Sequence, residues 1–179
     1  AYIDEQLAPE TILTLPDNYV SVTTNGVSAS SETNWTTITV TGQVSTATLY
    51  IYLTGAGSAF IDDVSLSLIY TNVTYVTNGA EITTNVTTYL GPNVLRNGDF
   101  EESITNGWTR TADFANSAVV AAPVASGAGA LQIVATAPGS GNNDSIAQAN
   151  IPGLTNGYRC VLTFSYLPVA HMVWSWAGP

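Results

Sequence analysis

AFIDDVSLSLI, residues 59–69, alternates apolar and polar side chains along its length. Side chains two apart on a strand share a face, so Phe60, Asp62, Val64, Leu66 and Leu68 form one face and Ile61, Asp63, Ser65 and Ser67 the other. The same period recurs in WTTITV (35–40), ATLYIYL (47–53), ALQIVAT (130–136) and RCVLTFSYL (159–167), with Gly, Asn and Pro between the runs. Asn-Gly, a dipeptide favoured in tight turns, stands at 25–26, 78–79, 97–98, 106–107 and 156–157. No stretch of ten or more residues carries a capped helical stripe. The pattern predicts an all-β protein, and short strands at this spacing suggest a sandwich.

A chain of 179 residues can build one domain with a real core, or two small ones. Hydrophobic residues make up 45% and charged residues only 9%, where roughly 25% is usual. Lysine is absent; Arg96, Arg110 and Arg159 face thirteen carboxylates, for a net charge of −10. Nucleic acid is excluded as a partner on that balance, because phosphate binding depends on cationic side chains. An anionic membrane surface is excluded for the same reason, and no apolar run is long enough to insert in a bilayer. The composition suits a secreted protein exposed to Ca²⁺ or one that handles neutral sugars, and equally a glycosylated extracellular surface with no such role. The chain begins at Ala1, which reads as a processed product or a piece of something longer. Cys160 is the only cysteine; in YRCVLTFSY it shares a face with Tyr158, Leu162, Phe164 and Tyr166, the position of a small core residue rather than a nucleophile.

Between residues 70 and 92, β-formers flank Asn78-Gly79 on both sides, which predicts a β-hairpin of 70–77 with 80–88. NVT occurs in both arms, at Asn72 and Asn85, so the arms read as loosely related. With Asn34 and Asn143 these asparagines fit the N-glycosylation pattern, which is short and matches by chance in any chain rich in Asn and Thr.

From Asn93 onward the order NGDFE, NGW, SGAGALQIVAT, GLTNGYRCVLTFSYLP and VWSWAGP resembles the first half of a carbohydrate-binding-like jelly roll. From about Tyr19 to Leu68 the order NWTTITVTG, TLYIYLTGAG, AFIDDVSL resembles the second half. Both halves look like the tandem jelly-roll repeats of large secreted bacterial proteins that also carry lamin-tail domains. Residues 1–18 do not match clearly, and the halves stand in reversed order. The resemblance implies a galactose-binding-like β-sandwich whose first and last strands are neighbours. It divides the chain into a second half (1–69), a hairpin connector (70–92) and a first half (93–179). A half-sandwich cannot bury its apolar face alone. Three arrangements follow: a window cut from a tandem array, a circularly permuted single domain, or subunits that complete one another head to tail, which builds filaments unless the ring closes.

Jelly rolls of this type often hold a structural Ca²⁺ between the acidic motif of the first strand and the Asp of the last. By resemblance its ligands are Asp62 or Asp63 with Asp99 and Glu101, an oxygen set suited to a hard cation. If the two motifs share one sheet, Asp62 and Asp99 approach each other. The alternative is that these carboxylates bond backbone amides. Sugar recognition in such modules uses exposed aromatics. Leu49, Ile51 and Leu53 face one way in ATLYIYL, which turns Tyr50 and Tyr52 the other way as candidate stacking platforms. Trp174 and Trp176 share a strand face and are further candidates, while the resemblance puts Trp108 in the core. Ordinary cross-strand packing is the alternative for all of them.

Catalysis has little support. His171 is the only histidine, with no Ser-His-Asp order around it, and clusters suited to zinc are absent. Glu101 and Glu102, being adjacent, point to opposite faces of a strand and make a poor glycosidase pair. The expectation is a non-catalytic module at the cell surface or outside the cell that binds polysaccharide or surface glycans or mediates adhesion. The other reading is a structural subunit of a filament or surface layer, its partners being copies of itself.

Overall fold

The computed structural model describes residues 11–14, 22–23, 35–79, 81–140 and 143–168. Among the described residues eleven strands run in chain order: β1 (Thr11–Thr14), β2 (Val22–Thr23), β3 (Thr36–Gln43), β4 (Leu49–Leu53), β5 (Gly57–Asn78), β6 (Glu81–Asn93), β7 (Thr109–Arg110), β8 (Ala118–Val120), β9 (Ala130–Ala135), β10 (Ile146–Gln148) and β11 (Arg159–Pro168). One sheet has the order β2-β1-β4-β10-β7; the other has β3-β11-β5-β9-β8, with β6 added to the far end of β5. All strand pairs are antiparallel. The molecule is an all-β sandwich.

Strands from before and after the hairpin alternate within both sheets. β11 lies between β3 and β5, β5 between β11 and β9, and β4 pairs with β10. The two stretches therefore close a core within one chain. Leu49, Ile51 and Leu53 of β4 meet Ile61, Leu66, Leu131, Ile133, Leu162 and Phe164, with Phe100 and Trp108 supplied by loops and Phe114 by a short 3-10 helix, Ala112–Phe114. Each such side chain contributes about 1.5–3 kcal/mol on full burial. Trp108 is buried, its ring tilted against Phe100 and its Nε1–H donated to the carbonyls of Arg96 and Asn97.

Residues 93–98 run antiparallel along the middle of β5. Val64 donates its N–H to the Gly98 carbonyl (2.7 Å) and Val94 donates to the Leu66 carbonyl (2.9 Å). Gly98 is required there: a Cβ would stand 2.1 Å from the Val64 carbonyl oxygen. Asn93 strengthens the join, its Oδ1 accepting from the Leu66 and Leu95 amides. Gln148 of β10 secures the next turn by pairing with both backbone groups of Arg96, at 2.8 and 2.9 Å. Residues 93–98 thus lie beside Val64 and Leu66, but beyond Asn93 they form turns rather than a sheet strand.

Strict alternation fails within β5. The buried set is Ala59, Ile61, Asp62, Val64, Leu66 and Leu68, whereas Phe60 is only half-buried. The cause is a β-bulge: between Ser65 and Asp62 the strand spends one residue more than its partner β11, and Asp63 takes φ 53°. The extra residue moves Ile61 into the core and keeps Asp62 buried beside it. Cys160, Leu162, Phe164 and Tyr166 are buried as their alternation requires, while Tyr158 is exposed.

The hairpin is present, with its turn one residue later than the dipeptide suggests. Asn78 pairs with Glu81, so the turn begins at Gly79. Gly79 has φ 65°, the left-handed conformation that a primed two-residue turn needs at its first position. A second bulge at the hairpin's base, where Ser67 pairs with Asn93 and Ile69 with Leu90, takes up Gly91 and Pro92.

Candidate functional site: an acid-clamped loop and a projecting ribbon

Two regions gather the residues that the sequence singles out. The first is the loop 125–129 at the edge of the sandwich. Asp62 is fully buried, and its carboxylate accepts hydrogen bonds from the backbone N–H groups of Ala125 (2.9 Å), Ser126 (3.2 Å) and Asp63 (2.7 Å). Desolvation raises its pKa above the ordinary 3.8, against the three amides, which lower it. Asp63 accepts from the Ser126 hydroxyl at 2.7 Å. Glu101 holds the other end of the loop, its Oε1 accepting from the amides of Ala128 and Gly129.

These bonds answer the question of what meets the carboxylate on an apolar face: backbone amides do. Asp99 is exposed on the neighbouring turn, and Asp62 is directed at the 125–126 amides instead of toward it. Among the described residues no group of three or more His, Cys, Asp or Glu is arranged to hold a metal ion. Of the four acids named for Ca²⁺, Asp62, Asp63 and Glu101 bond to the 125–129 loop, while Asp99 is exposed on the neighbouring turn.

Aromatic platforms fare similarly. Tyr52 is buried, at 9% exposure, and Tyr50 is half-buried against the core, so β4 offers no pair of open ring faces. The five-stranded sheet covers both sides of β4, with β1 on one edge and β10 on the other. Trp174, Trp176, His171 and Asn34 lie outside the described residues. Asn72, Asn85 and Asn143 are exposed.

The second region is the hairpin itself. Beyond Leu68, β5 pairs only with β6, and residues 70–79 and 82–90 are exposed throughout. The register sets Ile69 opposite Leu90, Val73 opposite Val86, Tyr75 opposite Thr84 and Thr77 opposite Ile82. By alternation those pairs share one face with Thr71 and Thr88. The other face carries Tyr70 stacked on Tyr89 (5.4 Å between ring centroids), Asn72, Thr74, Val76, Thr83, Asn85 and Thr87. One face of the ribbon is thus largely apolar, and the other bears both NVT asparagines.

No family model, no curated protein and no solved structure matches the chain.

The ribbon's amphipathic character is legible only when both arms are read in register. Ile69, Val73 and Tyr75 take odd positions in one arm; Ile82, Val86 and Leu90 take even positions in the other. The pairing of Asn78 with Glu81 fixes the register and brings the two series onto one face. Asn93 and Gln148, which join the hairpin's base and β10 to the stretch 93–98, carry no sequence signal beyond being amides near turns.

Proposed function

We propose that this chain is a non-catalytic structural subunit of an extracellular assembly, a β-sandwich body that joins other copies through the ribbon of residues 69–90. One observation carries the reading. Among the described residues, every exposed large hydrophobic side chain except Tyr158 lies on this ribbon, with Tyr75 at 70% and Ile82 at 66%. A two-stranded ribbon is marginal in water by itself, and natural proteins blunt exposed edges with lysine, bulges or proline. From Ile69 to Leu90 the sequence has no lysine and no proline. Such an element is suited to being covered.

Placement outside the cell is supported by the low charge and by the exposed Asn72, Asn85 and Asn143 of the glycosylation pattern. Catalysis draws no support from Cys160, whose thiol is buried and shifted to higher pKa by desolvation. Glycan stacking is the weaker reading, because it needs open ring faces and Tyr52 is buried.

Sedimentation of the whole chain against concentration tests the proposal, beside a variant in which residues 71–88 are replaced by Asn-Gly. The whole chain gains mass as concentration rises, and the shortened chain stays monomeric with its sandwich intact. A whole chain that remains monomeric throughout defeats the reading. So does polysaccharide binding by that monomer, which would restore the stacking role.

A further inference from the structure

We infer that the apolar face of the ribbon packs against the same face of a second copy, two ribbons forming a four-stranded, two-layered joint centred on Val73 and Val86. The inference rests on the assembly reading above and adds the face and the symmetry of the contact.

Three observations point to a second copy. The first is internal symmetry. TNVT occurs at 71–74 and again at 84–87, and Val73 pairs directly with Val86. In an antiparallel pair a local two-fold axis passes between such partners, and here it carries Thr71 onto Thr84, Asn72 onto Asn85, Val73 onto Val86 and Ile69 onto Ile82. The apolar stripe therefore presents nearly the same surface read from either end, so a second copy meets matching side chains in either direction along the ribbon.

The second is charge. The chain carries −10, which opposes close approach of copies through most surfaces, but between Ile69 and Leu90 the only charged residue is Glu81. The register places Glu81 opposite Asn78, out of phase with the pairs of the apolar face. Two copies can meet on this face without bringing like charges together.

The third is geometry. Stacked sheets pack about 10 Å apart, with side chains interdigitating between them. Ten residue pairs at about 3.4 Å per residue give a face roughly 34 Å long, and two such faces bury on the order of 1,000 Å² in total, the low end for a specific contact. That area suits a reversible joint. Asn72 and Asn85 point away from it, so glycans on them leave the joint open.

Sedimentation equilibrium of the full chain tests the inference with two paired variants on exposed ribbon positions. Val73→Glu with Val86→Glu sets four carboxylates against one another in the joint; Thr74→Glu with Thr87→Glu places the same charges on the opposite face. The expected result is a wild type that moves from monomer to dimer by about 100 µM, the weak, reversible range in which contacts at the low end of interface size are found. The valine variant should stay monomeric over that range, and the threonine variant should dimerise within about threefold of wild type. Near-ultraviolet circular dichroism unchanged in both variants shows that the sandwich has not been lost. A valine variant that associates as well as wild type overturns the face-to-face joint and leaves the assembly reading standing. A wild type that is monomeric at every concentration overturns both, and flotation of that monomer with phosphatidylcholine vesicles would assign the face to lipid.

Discussion

Strand β5 lives in two environments along one continuous run of backbone. From Ala59 to Leu68 it has neighbours on both edges and a core beneath it; from Ile69 to Asn78 it has one neighbour and solvent around it. Both parts mix apolar with small polar side chains, Ile, Val and Leu with Ser and Asp in the first and Ile, Val and Tyr with Thr and Asn in the second. What differs is whether the apolar face has a partner. Alternation specifies a strand with one greasy face; it does not specify that the same chain covers that face.

The largest effects should come from the buried part. Leu66→Ala removes a fully buried side chain from the centre of the sandwich and should cost about 3–4 kcal/mol of unfolding free energy in denaturant melts. Val73→Ala, seven residues along the same strand, should cost less than about 0.5 kcal/mol when measured in dilute solution. Equal losses at the two sites would mean that the ribbon packs on the sandwich in the monomer, and would erase the distinction.

Next in size is the seam between the two stretches. Gly98→Ala drives a Cβ to 2.1 Å from the Val64 carbonyl oxygen, so either β5 or the turn at 97–100 has to move. A loss of about 2–3 kcal/mol is expected, as for other overpacked sites. A neutral outcome would show that 93–98 does not hold its place beside β5.

Asp62 gives an effect of similar or smaller size with a diagnostic pH dependence. Replacing it with Ala leaves three amides without their acceptor and should cost about 2 kcal/mol at neutral pH. Its folded-state pKa is raised above 3.8, so between 3.8 and that higher value the native state holds a proton that the unfolded chain has released. Stability from this group therefore falls as pH rises through that window and is recovered as pH drops back toward 3.8. Asp62→Asn cannot titrate, so the wild type should gain on it as the medium is acidified from neutral toward pH 4. A gap that narrows on acidification would mean that the amides outweigh burial.

These same residues show how far the sequence could be read. The all-β class, the strands around 36–43, 49–53, 130–135 and 159–168, and the buried face of Cys160, Leu162 and Phe164 follow from period-2 alternation and turn residues. Alternation misplaced Phe60 and Ile61, because a bulge changes the parity of a strand and leaves only a mild trace in sequence, the pair Asp62-Asp63. Tyr52 was expected on an open face and is buried, since face assignment on one strand ignores what packs over the other side. The acids of the candidate site were found by type, but their partners are backbone amides of a Gly- and Ala-rich loop far along the chain, which no local pattern marks. The hairpin was visible as a hairpin; its use as a surface appears only once the register joins the two arms.

The smallest effect probes the ribbon alone. Gly79 sits at φ 65°, where alanine is strained by roughly 1 kcal/mol, so Gly79→Ala should weaken the turn that sets the register of the whole ribbon. If the ribbon opens independently of the sandwich, the strain falls on a local equilibrium and the global melting temperature moves by less than about 1 °C. Amide hydrogen exchange reads the difference: in a dilute sample, amides of 70–78 and 82–90 should exchange well before those of 59–68 and 130–135, and faster still in the variant. Raising the protein concentration should then slow exchange in the ribbon selectively, because a second copy protects that element and nothing else. Ribbon amides as protected as the core's at low concentration would mean that the strand's two parts unfold together. The absence of added protection at high concentration would count against the partner that the ribbon's symmetry suggests.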